Sequence, residues 1–410
     1  MRLLVYEHVS GGGFADELIT TSVLSEGFGM LRTLISDFKA AGHKVTTTLD
    51  SRIARLNPPI AADCIVPVFS CDKTQVTIQK IAESADAAYV IAPETDGMLQ
   101  SFVKLIEQTG VASLNCTSAC IEKVSEKIVF HKFMKNLGVP LPETKFFSIT
   151  DDLQEIKKAI RSDLNLPVIF KPADGVSCIG LSVVKNEQQI AGAIDKIRES
   201  SSKKHFLIQE LVKGTATSVS LLSSGSTAVS ISLNRQDVTI GTPNNFSSYS
   251  GGVTPFDHPF QNESFKVAEK IVKSVPGLRG YIGIDFVLSE NGLAAIEMNP
   301  RLTTSYVGLR RSVNYNPAQA IVNAVLKAEL PTQVEGRGFT VFSKVKTLNP
   351  THDVFQQTCE MDEVVSPPFP ISESGIASAL IASNAATLQR ASTRFRETKK
   401  RVLNSISRGK

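Results

Sequence analysis

Residues 283–301 read Gly-Ile-Asp-Phe-Val-Leu-Ser-Glu-Asn-Gly-Leu-Ala-Ala-Ile-Glu-Met-Asn-Pro-Arg. Their alternation predicts a β-hairpin with Ile284, Phe286, Leu288, Ala294, Ile296 and Met298 on a core face, and Asp285, Glu297 and Asn299 on the other. Register decides whether the polar groups meet. A two-residue Asn291-Gly292 turn would set Asp285 against Met298, an acid against an apolar residue. A three-residue loop, Glu290 to Gly292 with Gly292 left-handed in a bulge, instead pairs Ser289 with Leu293, Asp285 with Glu297 and Phe286 with Ile296. Opposed Cβ atoms in such a pair lie about 5 Å apart, where like charges repel, so a cation is expected between the acids. Two carboxylates and an amide oxygen suit Mg²⁺ (or Mn²⁺) shared with a substrate phosphate. A solvated hairpin edge with scattered acids is the plain alternative.

The 410 residues suffice for two or three domains, and a hydrophobic content of 42% with mean hydropathy +0.02 is that of a globular protein. No apolar run is long enough to span a bilayer, and the first residues carry Glu7 and His8 where a signal peptide needs apolar side chains. A cytoplasmic protein with no membrane partner is expected. Six cysteines without a C-x-x-C pair fit neither a disulfide scaffold nor a zinc site, and Cys116 and Cys120 are read as helix packing. From Arg390 to Lys410 eight basic residues face one acid, a local charge of +7 in a chain of net charge +4. Without interleaved aromatics this is read as a solvated helix face, and no nucleic acid is expected.

Residues 1–115 alternate strand and helix patterns, predicting a parallel sheet with crossover helices: strands near 3–6, 44–49, 64–68 and 88–91, and a helix over 31–41. Gly11-Gly12-Gly13 has neither dinucleotide nor Walker spacing; it is either a loop touching substrate at the end of the first strand or a tight turn, and Pro93 to Gly97 has the same ambiguity. Ser125 is predicted to cap a helix ending at Gly138, with Lys127 in its first turn, where the helix dipole disfavours a cation and an anionic partner is invited. The strand 167–172 with Lys171, the small-residue loop to Gly180 and the strand 181–184 read as a cover whose N–H groups reach phosphate. The strand 206–210 leads through Gln209, Glu210 and Leu211 to a turn at Gly214. Helices are expected near 262–275 and 317–330, and a last helix from about Ser383.

In order, Glu126-Lys127, Phe170-Lys171-Pro172, the loop to Gly180, Gln209-Glu210 to Gly214, Gly283-Ile-Asp285 and Glu297-Met-Asn299-Pro-Arg301 resemble the motifs of the ATP-grasp family of ligases over residues 115–330. The resemblance implies an α/β ATP-grasp fold. It would comprise an N-terminal pre-ATP-grasp domain (1–115), an ATP-grasp domain (116–330, with a lid over about 145–213) and C-terminal strands and a basic helix (331–410). It also implies roles. Lys127 and Lys171 would hold ATP phosphates under a flap that includes Gly175, Ser177 and Gly180, and Gln209, Glu210 and Leu211 would face adenine. Asp285, Glu297 and Asn299 would bind Mg²⁺; Arg301, with Lys171, would stabilise charge developing in the reaction. Two departures stand out: Ala216 where many members have a ribose-binding acid, and Gly283 where some dipeptide-forming members have an arginine, whose role could fall to Arg301 or Arg235.

Tyr6-Glu-His-Val-Ser-Gly-Gly-Gly-Phe14, Asn234-Arg-Gln236 and Tyr249-Ser-Gly-Gly-Val-Thr-Pro255 resemble, within the family, ligases that couple tyramine to glutamate in methanofuran biosynthesis. What is implied is amide formation from a small carboxylate and a small amine through an acyl phosphate, with glutamate and tyramine as the specific pair and a homodimer allowed. A phosphotransferase and a non-catalytic ATP-binding regulator are the rival readings on the same fold.

Overall fold

A computed structural model describes residues 1–174 and 178–408, so Gly175 and Ser177 of the expected flap lie outside the described residues. Three sheets organise the chain. The first is parallel, in the order β3-β2-β1-β4-β5, from β1 (Arg2–Glu7), β2 (Lys44–Asp50), β3 (Cys64–Val68), β4 (Ala87–Ile91) and β5 (Ala112–Ser113). Helices cover it, so β1 and β4 are buried along nearly their whole length, as an unbroken apolar strand requires. The strand order reverses between β1 and β4. Such a switch opens a crevice beyond the carboxyl ends of those two strands.

The four-stranded sheet β6-β9-β7-β8 is antiparallel, built from β6 (Thr144–Ser148), β7 (Val168–Pro172), β8 (Ser182–Val184) and β9 (His205–Glu210). It has a core of its own, with Ile156, Phe170, Val184, Ile194, Phe206 and Ile208 buried together, so it can shift as one body.

The third sheet has eight strands, in the order β14-β13-β10-β11-β12-β15-β17-β16. Its members are β10 (Thr215–Ser224), β11 (Ala228–Thr239), β12 (Ser248–Thr254), β13 (Arg279–Ser289), β14 (Gly292–Asn299), β15 (Phe339–Leu348), β16 (Val364–Ser366) and β17 (Ile376–Ala385). Residues beyond 330 thus extend the same sheet through the β12–β15 pairing. The helix Thr21–Ala40 lies between the first and third sheets, and Gly29 permits the contact: a Cβ there would stand 2.7 Å from Leu380.

Several local expectations are corrected. The first long helix begins at Thr21, ten residues ahead of the expected start, because residues from Leu24 onward are also buried. The last helix is Leu388–Arg408; Ser383 instead pairs with Val341 in the β15–β17 ladder. Ser125 ends the helix Ser118–Ser125 and caps nothing; the next helix, Lys127–Asn136, starts from Glu126 with no side-chain cap.

The glycine triplet is a buried turn. A Cβ on Gly12, whose φ is +107°, would lie 2.5 Å from Val68, and one on Gly13 would lie 2.3 Å from the His8 ring. Gly12→Ala is expected to cost about 3 kcal/mol, from backbone strain plus overpacking, measured as a lower denaturation midpoint in urea.

Candidate functional site

The hairpin of β13 and β14 carries the acids, by a route that differs from the expected one. Ser289 pairs with Gly292 across a two-residue turn, Glu290-Asn291, and the register shifts between Asp285 and Phe286. Phe286 therefore faces Ala295, not Ile296, while Asp285 still faces Glu297. The extra residue is Ile296, inserted as a bulge within β14 rather than in the loop. Gly292 has φ +135°, outside the left-handed helical region assigned to it. The bulge sends Ile296 and Glu297 to the same cleft, and the core face is Leu293, Ala295 and Met298.

Two lysines converge on these acids. Lys127, at the start of its helix, places Nζ 3.2 Å from Glu297 Oε2. Lys171 projects from β7 and is buried, and burial lowers its pKa to about 8 despite the attraction of Glu297. Burial would raise the Glu297 pKa, but Lys127 and Lys171 outweigh it and hold the carboxyl below its ordinary value. Asp285 is pushed up to about 7, by burial and then by the facing Glu297 charge. Asn299 Nδ2 and Gln236 Nε2 donate to its two oxygens at 3.2 and 3.1 Å.

The cleft widens into two cavities that share Cys178, Gln236, Val238, Asp285 and Glu297 as a common wall. One runs between the second and third sheets. Its polar end holds Lys127, Lys171 and Glu297; its far end is the β9 exit, Gln209 to Val212, with Ile169, Leu181 and Phe286 as apolar sides. The slot thus combines an apolar middle with a lysine-bearing end. Gln209 Nε2 is held by Thr144 Oγ1 at 2.9 Å, and Ala216 lines the same slot, offering no acid there.

The other cavity occupies the switch-point crevice. Glu7 at the end of β1 and Val9 past it, Ile91 at the end of β4 with Ala92 and Pro93 past it, and Gly27 and Met30 of the first long helix line it, as do Asn299 and Arg301. Arg301 is partly buried, its Nε and Nη2 3.0 and 2.9 Å from Glu94 Oε2. The pair fixes the guanidinium across two domains. Arg235 instead pairs with Asp237 at 3.2 Å and does not line this cavity. The sequence assigns no site role to Glu7 or Gln236, and Glu94 enters only as part of the ambiguous Pro93 to Gly97 loop. Glu7 is marked as the acid that closes the run Leu3 to Tyr6; Gln236 stands in the Asn234-Arg-Gln236 motif, which gives no sign of its contact with Asp285.

The fit to a divalent cation can be tested on these residues. Two opposed carboxylates and a neighbouring amide, one acid driven toward neutrality by burial and then by the facing charge, offer a set of oxygen donors. Among the described residues no group of three His, Cys, Asp or Glu is placed to hold a metal, so an ion here would need oxygens from a substrate. None of the described helices is long and apolar enough to cross a membrane.

The chain is similar to known proteins in sequence and in fold. An ATP-grasp domain model matches residues 124–305 and a pre-ATP-grasp model residues 43–121. Tyramine–L-glutamate ligase of Methanocaldococcus fervens is 28% identical over 341 residues, 83% of this chain and 99% of its own. The crystal structure of a protein of Archaeoglobus fulgidus assigned to the ATP-grasp superfamily superposes with TM-score 0.63 at 23% identity, covering 93% of this chain and 99% of its own. Biotin carboxylase of Campylobacter jejuni superposes with TM-score 0.73 at 15% identity, covering 98% and 94%. The pre-ATP-grasp match includes the Ile91 to Pro93 wall of the crevice and the ATP-grasp match includes both lysines and both acids, and the chain belongs to the ATP-grasp family of ligases.

Proposed function

We propose that this protein joins a small carboxylate to a small amine as an amide, using ATP, with L-glutamate and tyramine as the pair. The wall of Asp285 and Glu297 shared by the two cavities carries the reading: a nucleotide in the slot would present its terminal phosphate to a carboxylate in the crevice there. Support for the specific pair comes from the relative that couples tyramine to L-glutamate, which this chain matches along nearly all of that protein's length.

In this reading a carboxylate oxygen attacks the γ-phosphorus, the bond to the β-phosphate oxygen breaks, and ADP departs. The ammonium group first gives up a proton; its nitrogen then attacks the acyl carbon, the bond to phosphate breaks, and the nitrogen loses a second proton. Both partners of the first step are anions. Lys127 and Lys171 would neutralise phosphate oxygens, and Arg301, held by Glu94, would hold the carboxylate in line. Gln209, Glu210 and Leu211 would seat the adenine. Asp285, Glu297 and Asn299 would hold Mg²⁺, which when bound supplies charge neutralisation between phosphate groups. Covering the slot falls to the four-stranded sheet, whose separate core lets it close without disturbing the acids.

Incubation with ATP, Mg²⁺, L-glutamate and tyramine, followed by mass spectrometry, should give glutamyl-tyramine amide and one equivalent of ADP and phosphate. A phosphorylated substrate as sole product would replace the ligase reading by a phosphotransferase.

A further inference from the structure

We infer that Glu7 is the residue that selects the amine, by receiving its ammonium group in the switch-point crevice; the inference rests on the ligase reading above. The acids that line this cavity are Glu7, Glu26, Asp285 and Glu297. Glu297 has Lys127 as partner, and Glu26 is paired with Lys344 and accepts from Thr304 Oγ1 at 2.9 Å. Asp285 and Glu297 are spoken for by the phosphate end of the site. Among the described residues, Glu7 forms no ion pair with a lysine, arginine or histidine.

Glu7 is nevertheless held rigidly. Val9 N donates to Oε1 at 3.0 Å, and Ser10 N and Ser10 Oγ donate to Oε2 at 2.7 and 2.6 Å. These bonds fix the carboxylate in one orientation while leaving lone pairs on both oxygens. It is 2% exposed, and burial raises its pKa, against the lowering by Ser10, Val9 and the field of Arg301. A buried carboxylate lacking a counter-cation at the wall of a cavity is a site for a ligand cation. The neighbouring wall is cut to suit: a Cβ on Gly27 would stand 2.6 Å from Glu7 Oε1, so only glycine leaves the carboxylate in place. Val9, Val23, Met30 and Tyr249 supply the rest of that wall. Such a lining takes a primary amine with an apolar body, not a polycation. Arg301 lines the same cavity and its charge acts on Glu7, Asp285 and Glu297 alike.

The test compares two nucleophiles. Hydroxylamine is largely uncharged at pH 7.5 and traps an activated carboxylate as a hydroxamate without needing an ammonium site. For Glu7→Gln the KM for tyramine should rise about 30-fold or more, the loss of one charged hydrogen bond, and the ratio of tyramine amide to hydroxamate should fall correspondingly. The KM for L-glutamate should move far less. Gly27→Ala, which displaces the carboxylate while keeping its charge, should shift the ratio the same way and stands in if Glu7→Gln does not fold. If the wild-type protein forms no hydroxamate from L-glutamate and ATP, the ligase reading falls and this inference with it. If hydroxamate forms but both variants keep the wild-type KM for tyramine, or raise the KM for L-glutamate instead, the inference alone is overturned.

Discussion

Glu297→Ala is expected to lower the rate of ADP formation by roughly 10³-fold or more while leaving the protein folded. The acid occupies the junction of the two cavities, faces Asp285 across the hairpin and pairs with Lys127 at 3.2 Å. In the proposed reaction the substitution would remove a donor for the divalent ion together with the Lys127 ion pair. Folding should survive, because 29% of the side chain is open to the cleft and the core face of the strand is carried by Leu293, Ala295 and Met298. Circular dichroism and the thermal midpoint check the fold; coupled ADP release checks the rate. Full turnover by the folded variant would sink the assignment of this acid to the phosphate end of the site.

Asp285→Asn should abolish activity as well, yet make the metal-free protein more stable above neutral pH. A carboxyl whose folded pKa is raised to about 7, against an unfolded value near 4, binds more protons folded than unfolded between those limits. Stability therefore falls as pH rises through that window, and the whole loss is present above about 7. Asparagine carries no such charge, and Gln236 and Asn299 can turn their amides to keep both hydrogen bonds. The gain at pH 8 is of the order of 4 kcal/mol, from a shift of about 3 units at about 1.4 kcal/mol per pKa unit, and should vanish near pH 4. Mg²⁺ should raise the midpoint of the wild type and not that of the variant. An unchanged or lower midpoint for the variant at pH 8 without metal would show that the two carboxylates do not repel in the folded protein.

Much of this site was legible in residue order, and the hairpin shows how. The alternation of Ile284, Asp285 and Phe286 gave the faces of β13, and demanding that acids not meet apolar partners gave the Asp285–Glu297 pairing. The pairing holds although the loop was misplaced. One extra residue in the turn and one extra residue within β14 have the same effect on every pair beyond the insertion; they differ only between turn and bulge, where Phe286 meets Ala295. Leu293-Ala-Ala-Ile296 is uniformly apolar, so no pattern marks which of the four is the bulge.

By itself the sequence determined what is local: strand and helix periods, the parity that sets two acids opposite each other, and the order of short motifs that identifies the ATP-grasp domain. Tertiary structure decided what is assembled from distant segments. Lys127 and Lys171 reach Glu297 from a helix and from another sheet, Glu94 fixes Arg301 from 207 positions away, and Gln236 steadies Asp285 across the strand between them. The strand order that reverses beside β1 brings Glu7 to the same space. The reason is physical: a side chain's period along the chain is fixed by backbone geometry, whereas its partner across a cleft is fixed by how separate layers pack, and no neighbour in the sequence carries that information.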